Sequence, residues 1–157
     1  RLKDIFTIDP SPTMILAHTL SHLLIRQLAY ECGYSSSALR ERVYSPAGEV
    51  AAGILLYTTD VDTEGTMGGL VEQGDPERLA RVVRRAVETA FWCSADPVCR
   101  ELDYQGLDGL NKAACHCCAL VGETSCTHMN IFLNRMLLVG RGEGREPRGY
   151  LYDMLQA

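Results

Sequence analysis

Apolar residues recur at helical spacing from Met14 to about Cys32, at Leu16, Leu20, Leu23, Leu24 and Leu28. Repetition at every third or fourth position marks a helix that buries one face. Gly33 follows and is a natural stop, because glycine takes the left-handed cap conformation at no steric cost. The pattern then changes. Ser35-Ser36-Ser37 predicts an N-cap cluster for a short helical turn through Ala38 and Arg40. Arg42-Val43-Tyr44 reads as a short strand, and Ala51 to Thr59, mostly apolar with Ile, Tyr and Thr, as a central one. The turn residues Pro46-Ala47-Gly48-Glu49 between them predict a hairpin or adjacent strands. A glycine-rich loop, Asp60 to Gly74, leads to the clearest helix. Asp75 suits its N-cap and Pro76 its first turn. Leu79, Val82, Val83, Ala86, Val87 and Ala90 form its apolar stripe, opposite Arg78, Arg81, Arg84 and Arg85, up to about Trp92.

Leu107 to about Leu120 is predicted helical, and Thr127 is predicted to cap a last helix containing Ile131, Phe132, Met136 and Leu137. Gly140 to Gly149 reads as an exposed loop and Tyr150 to Leu155 as a short closing element. There is no internal repeat. The order predicts an α+β domain, a small sheet packed with several helices. Residues 1–13, with Pro10 and Pro12, read as a lead-in, and residues 14–157 as a single domain. The chain begins at Arg1 and not Met, so it is expected to be a segment, the C-terminal part of a longer protein.

Composition narrows the function. The chain has 157 residues, 46% apolar and 22% charged, which is ordinary for a globular domain. No apolar run approaches the roughly 20 residues of a membrane span, and no secretory signal opens the chain. The net charge of −5 excludes the broadly basic surface of a free-standing nucleic-acid gripper. Any DNA contact is expected through a partner or a local patch, either Arg78, Arg81, Arg84 and Arg85 or Arg141, Arg145 and Arg148. Solvated faces are the simpler reading of both.

The chemistry lies in the cysteines. There are seven, six of them in the second half. An odd number, a Cys-x-x-Cys pair and no secretory signal favour metal over disulfides. Cys99, the pair Cys115 and Cys118, and Cys126 have the spacing of a closed four-thiolate zinc site. Such a site is structural, because it leaves no coordination position for substrate or water. Positions i and i+3 of a helix put Cys115 and Cys118 on one face. His128 is the best substitute ligand, two residues beyond Cys126, and Cys93 can replace Cys99. His116 and Cys117 point away from the pair, by about 100° per residue. Cys32 reads as a small buried hydrophobe.

Other polar residues form no complete constellation. His18 and His22 have metal-binding spacing but lack the glutamate of the His-Glu-x-x-His motif, so a hydrogen-bonded pair at a helix interface is favoured over a second metal site. Asp60, Asp62 and Glu64 adjoin the glycine loop and could bind magnesium or act as acid–base groups. That loop is not a P-loop, since the Gly-Lys-Ser/Thr ending is missing. Two rival functions follow: a metal-dependent nuclease or phosphodiesterase using His18, His22 and Asp60, and an oligomerisation domain.

Several runs resemble a known family. His18-Thr19-Leu20-Ser21-His22-Leu23-Leu24 resembles the start of the MZB domain, the zinc-binding domain named after the bacterial helicase MrfA. Asp60 to Leu70, ending Gly68-Gly69-Leu70, resembles that family's Asp…Gly-Gly-x-Gly-Leu loop, and Cys115-His116-Cys117-Cys118 falls where the family has Gly-Cys-Pro-Ser-Cys. Cys99 and Cys126 fall at its flanking ligand positions. Gly33 to Ser37 with Leu39 to Arg42, Cys93 to Cys99, Ala113 to Cys118 and Glu123 to Cys126 resemble the DrmB branch of the family, helicase-associated components of the DISARM phage-defence system. The likeness spans about Leu16 to Val139. One departure is Cys117, where a small residue is usual. The resemblance implies a structural zinc and a bacterial cytoplasmic protein that works on DNA with a DrmA-like helicase partner, away from any membrane. It also implies that this domain is not the catalytic part. ATP hydrolysis belongs to separate RecA-like lobes in that family, and no Walker motif occurs here. The expected role is a non-catalytic scaffold and docking module.

Overall fold

The computed structural model describes residues 10–35, 37–45, 51–59, 67–141 and 147–153. The first helix, α1, spans Pro12–Cys32. It begins two residues before Met14, because Ser11 and Pro12 supply the start: Met14 N donates to Ser11 Oγ at 3.2 Å, and proline fits the first turn. Gly33 ends it in the left-handed conformation, φ 72°. Of the predicted apolar face Leu23, Leu24 and Leu28 are buried and Leu16 and Leu20 partly so; Ile25 and the polar His18, Thr19, Ser21 and His22 are buried as well.

Strands β1 (Leu39–Tyr44) and β2 (Gly53–Thr58) pair antiparallel, Leu39 opposite Thr58 and Tyr44 opposite Gly53. The helical turn expected through Ala38 and Arg40 is replaced by the first residues of β1. Ala38 N closes a tight turn onto Ser35 O (2.9 Å), and the alternation of the strand then buries Leu39 and Glu41. The sheet has two strands among the described residues, so β2 is not central.

Helix α2 covers Met67–Gln73 and α3 Pro76–Thr89. Asp75 caps α3 as predicted, its carboxylate accepting from Glu77 N (3.2 Å) and Arg78 N (3.3 Å). Val82, Ala86 and Val87 are buried, in one cluster with Leu24, Ile25 and Leu28 of α1, while Arg78, Arg81, Arg84 and Arg85 face solvent. The helix ends at Thr89, short of Trp92.

Beyond α3 little of the chain is regular: α4 (Val98–Glu101), a 3-10 turn (Leu107–Gly109) and α5 (Arg135–Val139). The helix expected over Leu107 to Leu120 does not form. Asp108 and Ala113 have positive φ, 52° and 48°, which no α-helix accommodates. The helix expected from Thr127 is delayed to α5, because Met129, Asn130 and Phe132 are also left-handed; Asn134 is the cap. Side-chain amides replace the missing ladders. Asn111 Nδ2 donates to Asn130 O (2.7 Å) and its Oδ1 accepts from Leu133 N (3.0 Å). The Asn130 amide bonds both backbone groups of Val121 at 3.0 Å. These are the partners that buried backbone requires where secondary structure supplies none.

The core has two parts. The larger joins α1, α3 and β1; the smaller contains Cys93, Cys99, Ala114, Cys118, Ala119 and Leu133. No described helix is long and apolar enough to cross a membrane. The Pro46 to Glu49 turn, Asp60, Asp62, Glu64 and Arg145 lie outside the described residues.

Candidate metal centres

Four sulfurs meet in the smaller cluster: Cys93, Cys99, Cys115 and Cys118, with their Sγ atoms all within 4.8 Å of one another. Cys93–Cys115 is 3.5 Å, Cys99–Cys118 3.8 Å and Cys115–Cys118 3.8 Å. A zinc tetrahedron with Zn–S of about 2.3 Å has edges of about 3.8 Å, so the four fit one ion. None is in a disulfide. Cys93 lies just past α3, where Asp96 N bonds Cys93 O (2.9 Å) and turns the chain back; Cys99 is in α4. Cys115 and Cys118 share a tight turn and not a helix face. Cys118 N and Ala119 N both bond Cys115 O, and Cys115 N points at Cys118 Sγ (3.3 Å).

The protein environment of these thiols is uneven. Burial pushes Cys99 up to about 11 and Cys118 upward as well. Burial opposes the Cys115 thiolate too, but the Cys117 amide and the neighbouring thiols outweigh it and bring Cys115 to about 7. Four sulfurs of this kind share a site as thiolates only around a cation.

Cys126, grouped by spacing with Cys99, Cys115 and Cys118, is placed elsewhere. The turn before it is drawn to the sheet, Ser125 O accepting from Glu41 N (3.1 Å), and this aims Cys126 at α1. There it meets His18, Glu41 and His128, whose donor atoms and its own all lie within 4.8 Å of one another. His18 Nε2 is 3.3 Å from Cys126 Sγ and 3.1 Å from Glu41 Oε1. His22 Nε2 is 3.5 Å from the same oxygen. Burial alone would raise Glu41, but the His128, His18 and His22 imidazoles hold it far below the usual carboxylate range. Burial pushes His18 down, partly offset by Glu41, and pushes Cys126 up to about 12. His116 and Cys117 lie in the Cys115–Cys118 turn but outside both clusters.

Sequence comparison agrees with the thiol geometry. The profile of the MrfA Zn-binding (MZB) domain matches residues 20–119, most of the chain. The chain belongs to the MZB domain family. A relative within reach is the DISARM protein DrmB of Bacillus paralicheniformis, 46% identical over 125 residues, 80% of this chain. The chain spans 22% of that relative's length. This MZB domain is therefore a zinc-binding domain related to a DISARM protein, with a four-cysteine cluster suited to the ion.

The MZB domain also depends on a residue that sequence reasoning missed. Arg135 is fully buried, yet it gathers the pieces around the thiols. Its Nε donates to Ala113 O (2.9 Å), its Nη1 to Ala90 O (3.0 Å), and its two Nη atoms grip Asp96 at 3.2 and 2.8 Å. It thus ties the end of α3, the Cys93 turn and the approach to Cys115. Burial disfavours the Asp96 charge, but Arg135 more than compensates and holds it below the ordinary aspartate range. Gln105 does a similar service for Cys99 and the residue before Cys115, donating to Cys99 O (2.6 Å) and accepting from Ala114 N (3.0 Å). Glu41 was also missed. Its flanking Arg40 and Arg42 make it look like one charge of an exposed strand.

Proposed function

We propose that this chain is a non-catalytic, zinc-held docking module of a bacterial antiphage-defence protein, with Cys93, Cys99, Cys115 and Cys118 as the ligands of a structural zinc. The carrying observation is the closed set of four sulfurs, 3.5–3.8 Å apart where they adjoin, which leaves an ion no position for substrate. Zinc here would fix a segment, residues 93–118, that has little regular structure of its own. Trp92, just before this segment, is 70% exposed and Tyr104 within it 81%, with Val98 and Leu102 between them in sequence. Large aromatics at the surface suit a protein interface. Beside them a groove is lined by Trp92, Arg100, Lys112, Leu137 and Arg141. The partner proposed is a DrmA-like helicase in the bacterial cytoplasm, with DNA engaged through that complex. Arg81 and Arg84, exposed and without an ionic partner among the described residues, are the candidate phosphate contacts.

The test is co-purification with a DrmA-like helicase, with Trp92→Ala and Tyr104→Ala as probes. Both variants should fold and keep zinc while binding falls tenfold or more. Unchanged helicase binding in the double variant counts against this surface. DNA affinity is measured in parallel against salt, where phosphate contacts give a steep loss. Strong DNA binding by the chain alone, lost in an Arg81→Ala, Arg84→Ala variant, would replace docking by direct DNA contact. The nuclease reading at His18 and His22 is disfavoured, because both imidazoles are sealed from solvent.

A further inference from the structure

We propose a second zinc site in this chain, independent of the four-thiol cluster, with His18 Nε2, Glu41 Oε1, Cys126 Sγ and His128 Nδ1 as ligands and His22 Nε2 beside them. The first argument is geometric. Tetrahedral zinc with mixed nitrogen, oxygen and sulfur donors has edges of roughly 3.2–3.8 Å. His18 Nε2 stands 3.1 Å from Glu41 Oε1 and 3.3 Å from Cys126 Sγ, and His128 Nδ1 is 4.0 Å from Glu41 Oε1.

The second argument concerns lone pairs. His22 Nδ1 lies 2.9 Å from Ala119 O, which can only accept, so the proton of neutral His22 sits on Nδ1. Its Nε2 is then a bare lone pair, buried and without a hydrogen-bond partner, 3.5 Å from Glu41 Oε1. Glu41 Oε1 also lacks a hydrogen-bond partner, although the Ser21 hydroxyl bonds the other oxygen. Two acceptors facing each other in a dry interior need a cation between or beside them. Cys126 Sγ already accepts N–H bonds from His128 and Asn130, both at 3.3 Å, an arrangement that favours thiolate over thiol.

The third argument is charge. Glu41 is fully buried in β1, and its ionic neighbours are all imidazoles: His18, His22 and His128. No lysine or arginine among the described residues pairs with it. Zinc, one carboxylate and one thiolate with neutral histidines sum to zero, which removes the burial cost of an uncompensated charge. Mixed nitrogen, sulfur and oxygen donors suit zinc among the divalent ions. His128, with a side chain 15% exposed, lies at the rim and gives the ion a way in. Such an ion would join α1, β1 and the turn after Ser125, three segments distant in sequence.

The experiment is zinc counting by native mass spectrometry and elemental analysis, after zinc loading and desalting, on the purified protein and its variants. His128→Gln at the rim and Cys126→Ser should each hold one zinc fewer per chain than wild type, with circular dichroism unchanged for His128→Gln. Combining the two should lose no more than one. Cys118→Ser should lose a different ion, so that Cys118→Ser with His128→Gln loses two. Cobalt gives a second readout: one ion with a single-thiolate charge-transfer band, abolished in Cys126→Ser. Wild-type zinc content in both His128→Gln and Cys126→Ser overturns the site, as does a cobalt-loaded protein whose spectrum is fully accounted for by the four-thiolate ion.

Discussion

Arg135→Met tests how the thiol lobe is held without touching a sulfur. Methionine can fill most of the volume but donates nothing. The substitution leaves Ala113 O and Ala90 O without their side-chain donor and strips Asp96 of a two-pronged partner. Removing one member of a buried ion pair costs about 3–5 kcal/mol. Asp96 keeps the Cys93 N–H (3.0 Å) and a long contact to Arg100 (3.5 Å), which places the expected loss near the lower end, about 3 kcal/mol. For a chain of this length that corresponds to a fall in Tm of roughly 6–12 °C. The pH dependence has a definite sign. Asp96 is held below its ordinary value of 3.8 in the folded state, so the ion pair contributes fully above that value and its contribution is lost as pH falls through the folded pKa. The gap between wild type and Arg135→Met should therefore be widest near neutral pH and close in acid. Differential scanning calorimetry on zinc-loaded protein measures it, with zinc release to a chromogenic chelator followed alongside. A Tm within 2 °C of wild type and an unchanged release rate would refute the argument that Arg135 organises the lobe.

The other predictions address zinc, acidity, core and clamp separately. Stripping zinc, or Cys118→Ser, should raise amide exchange across residues 93–118 far more than at Val82 to Val87 in α3, because a structural zinc contributes on the order of 10–16 kcal/mol of apparent binding. Equal protection with and without metal argues against a structural role. In metal-free protein, Cys115 should alkylate with a midpoint near pH 7, well before Cys99 at about 11, and zinc should protect it. Its folded pKa lies below the ordinary thiol value of 9.0, so its thiolate stabilises the metal-free fold above pH 9 and that contribution is lost as pH falls through about 7. Ile25→Ala, at a fully buried site in the larger cluster, should cost about 2–5 kcal/mol in denaturant titrations while leaving zinc content unchanged. Arg26→Gln should speed zinc release at least threefold with little change in Tm, since its guanidinium holds the Cys115–Cys118 turn from outside; release kinetics in a chelator check it.

How much of this was legible in the sequence depends on where the information lies. Helices α1 and α3 are written locally, in a stop at Gly33, a cap at Asp75, a proline at position 76 and an apolar stripe between. The strand pair was legible in outline, but Ala38 and Arg40 were read as a helical turn because three serines resemble a cap. The second half resisted. Its backbone is held by amides and a guanidinium reaching across 9 to 45 positions, and its left-handed residues include Ala113 and Phe132, whose identities give no warning. Spacing drew attention to Cys99, Cys115 and Cys118. It offered Cys93 only as a replacement for Cys99 and gave no sign that Cys126 lies apart, because the place of Cys126 depends on Ser125 being bound to a strand over 80 residues earlier. His18 and His22 do lie against each other, edge to face with ring centroids 4.6 Å apart, but they face a glutamate that no local pattern flagged.

Both clusters are in contact with α1. The Cys115–Cys118 turn has outward carbonyls that its own backbone does not satisfy, and α1 supplies the donors. Arg26 reaches Cys117 O (2.7 Å) and Leu120 O (3.0 Å), and His22 Nδ1 reaches Ala119 O (2.9 Å). One turn before His22, His18 faces Glu41 and Cys126. One helix therefore contacts the thiol turn through Arg26 and His22, and the mixed cluster through His22 and His18. Successive turns at a 5.4 Å pitch set these three side chains along one face of the helix. His22 is the shared element: the carbonyl that sets its tautomer belongs to the thiol turn, and the lone pair left free points into the mixed cluster. The His22 imidazole is thus the direct contact between the carbonyl of Ala119 in the thiol turn (2.9 Å) and the carboxylate of Glu41 in the mixed cluster (3.5 Å).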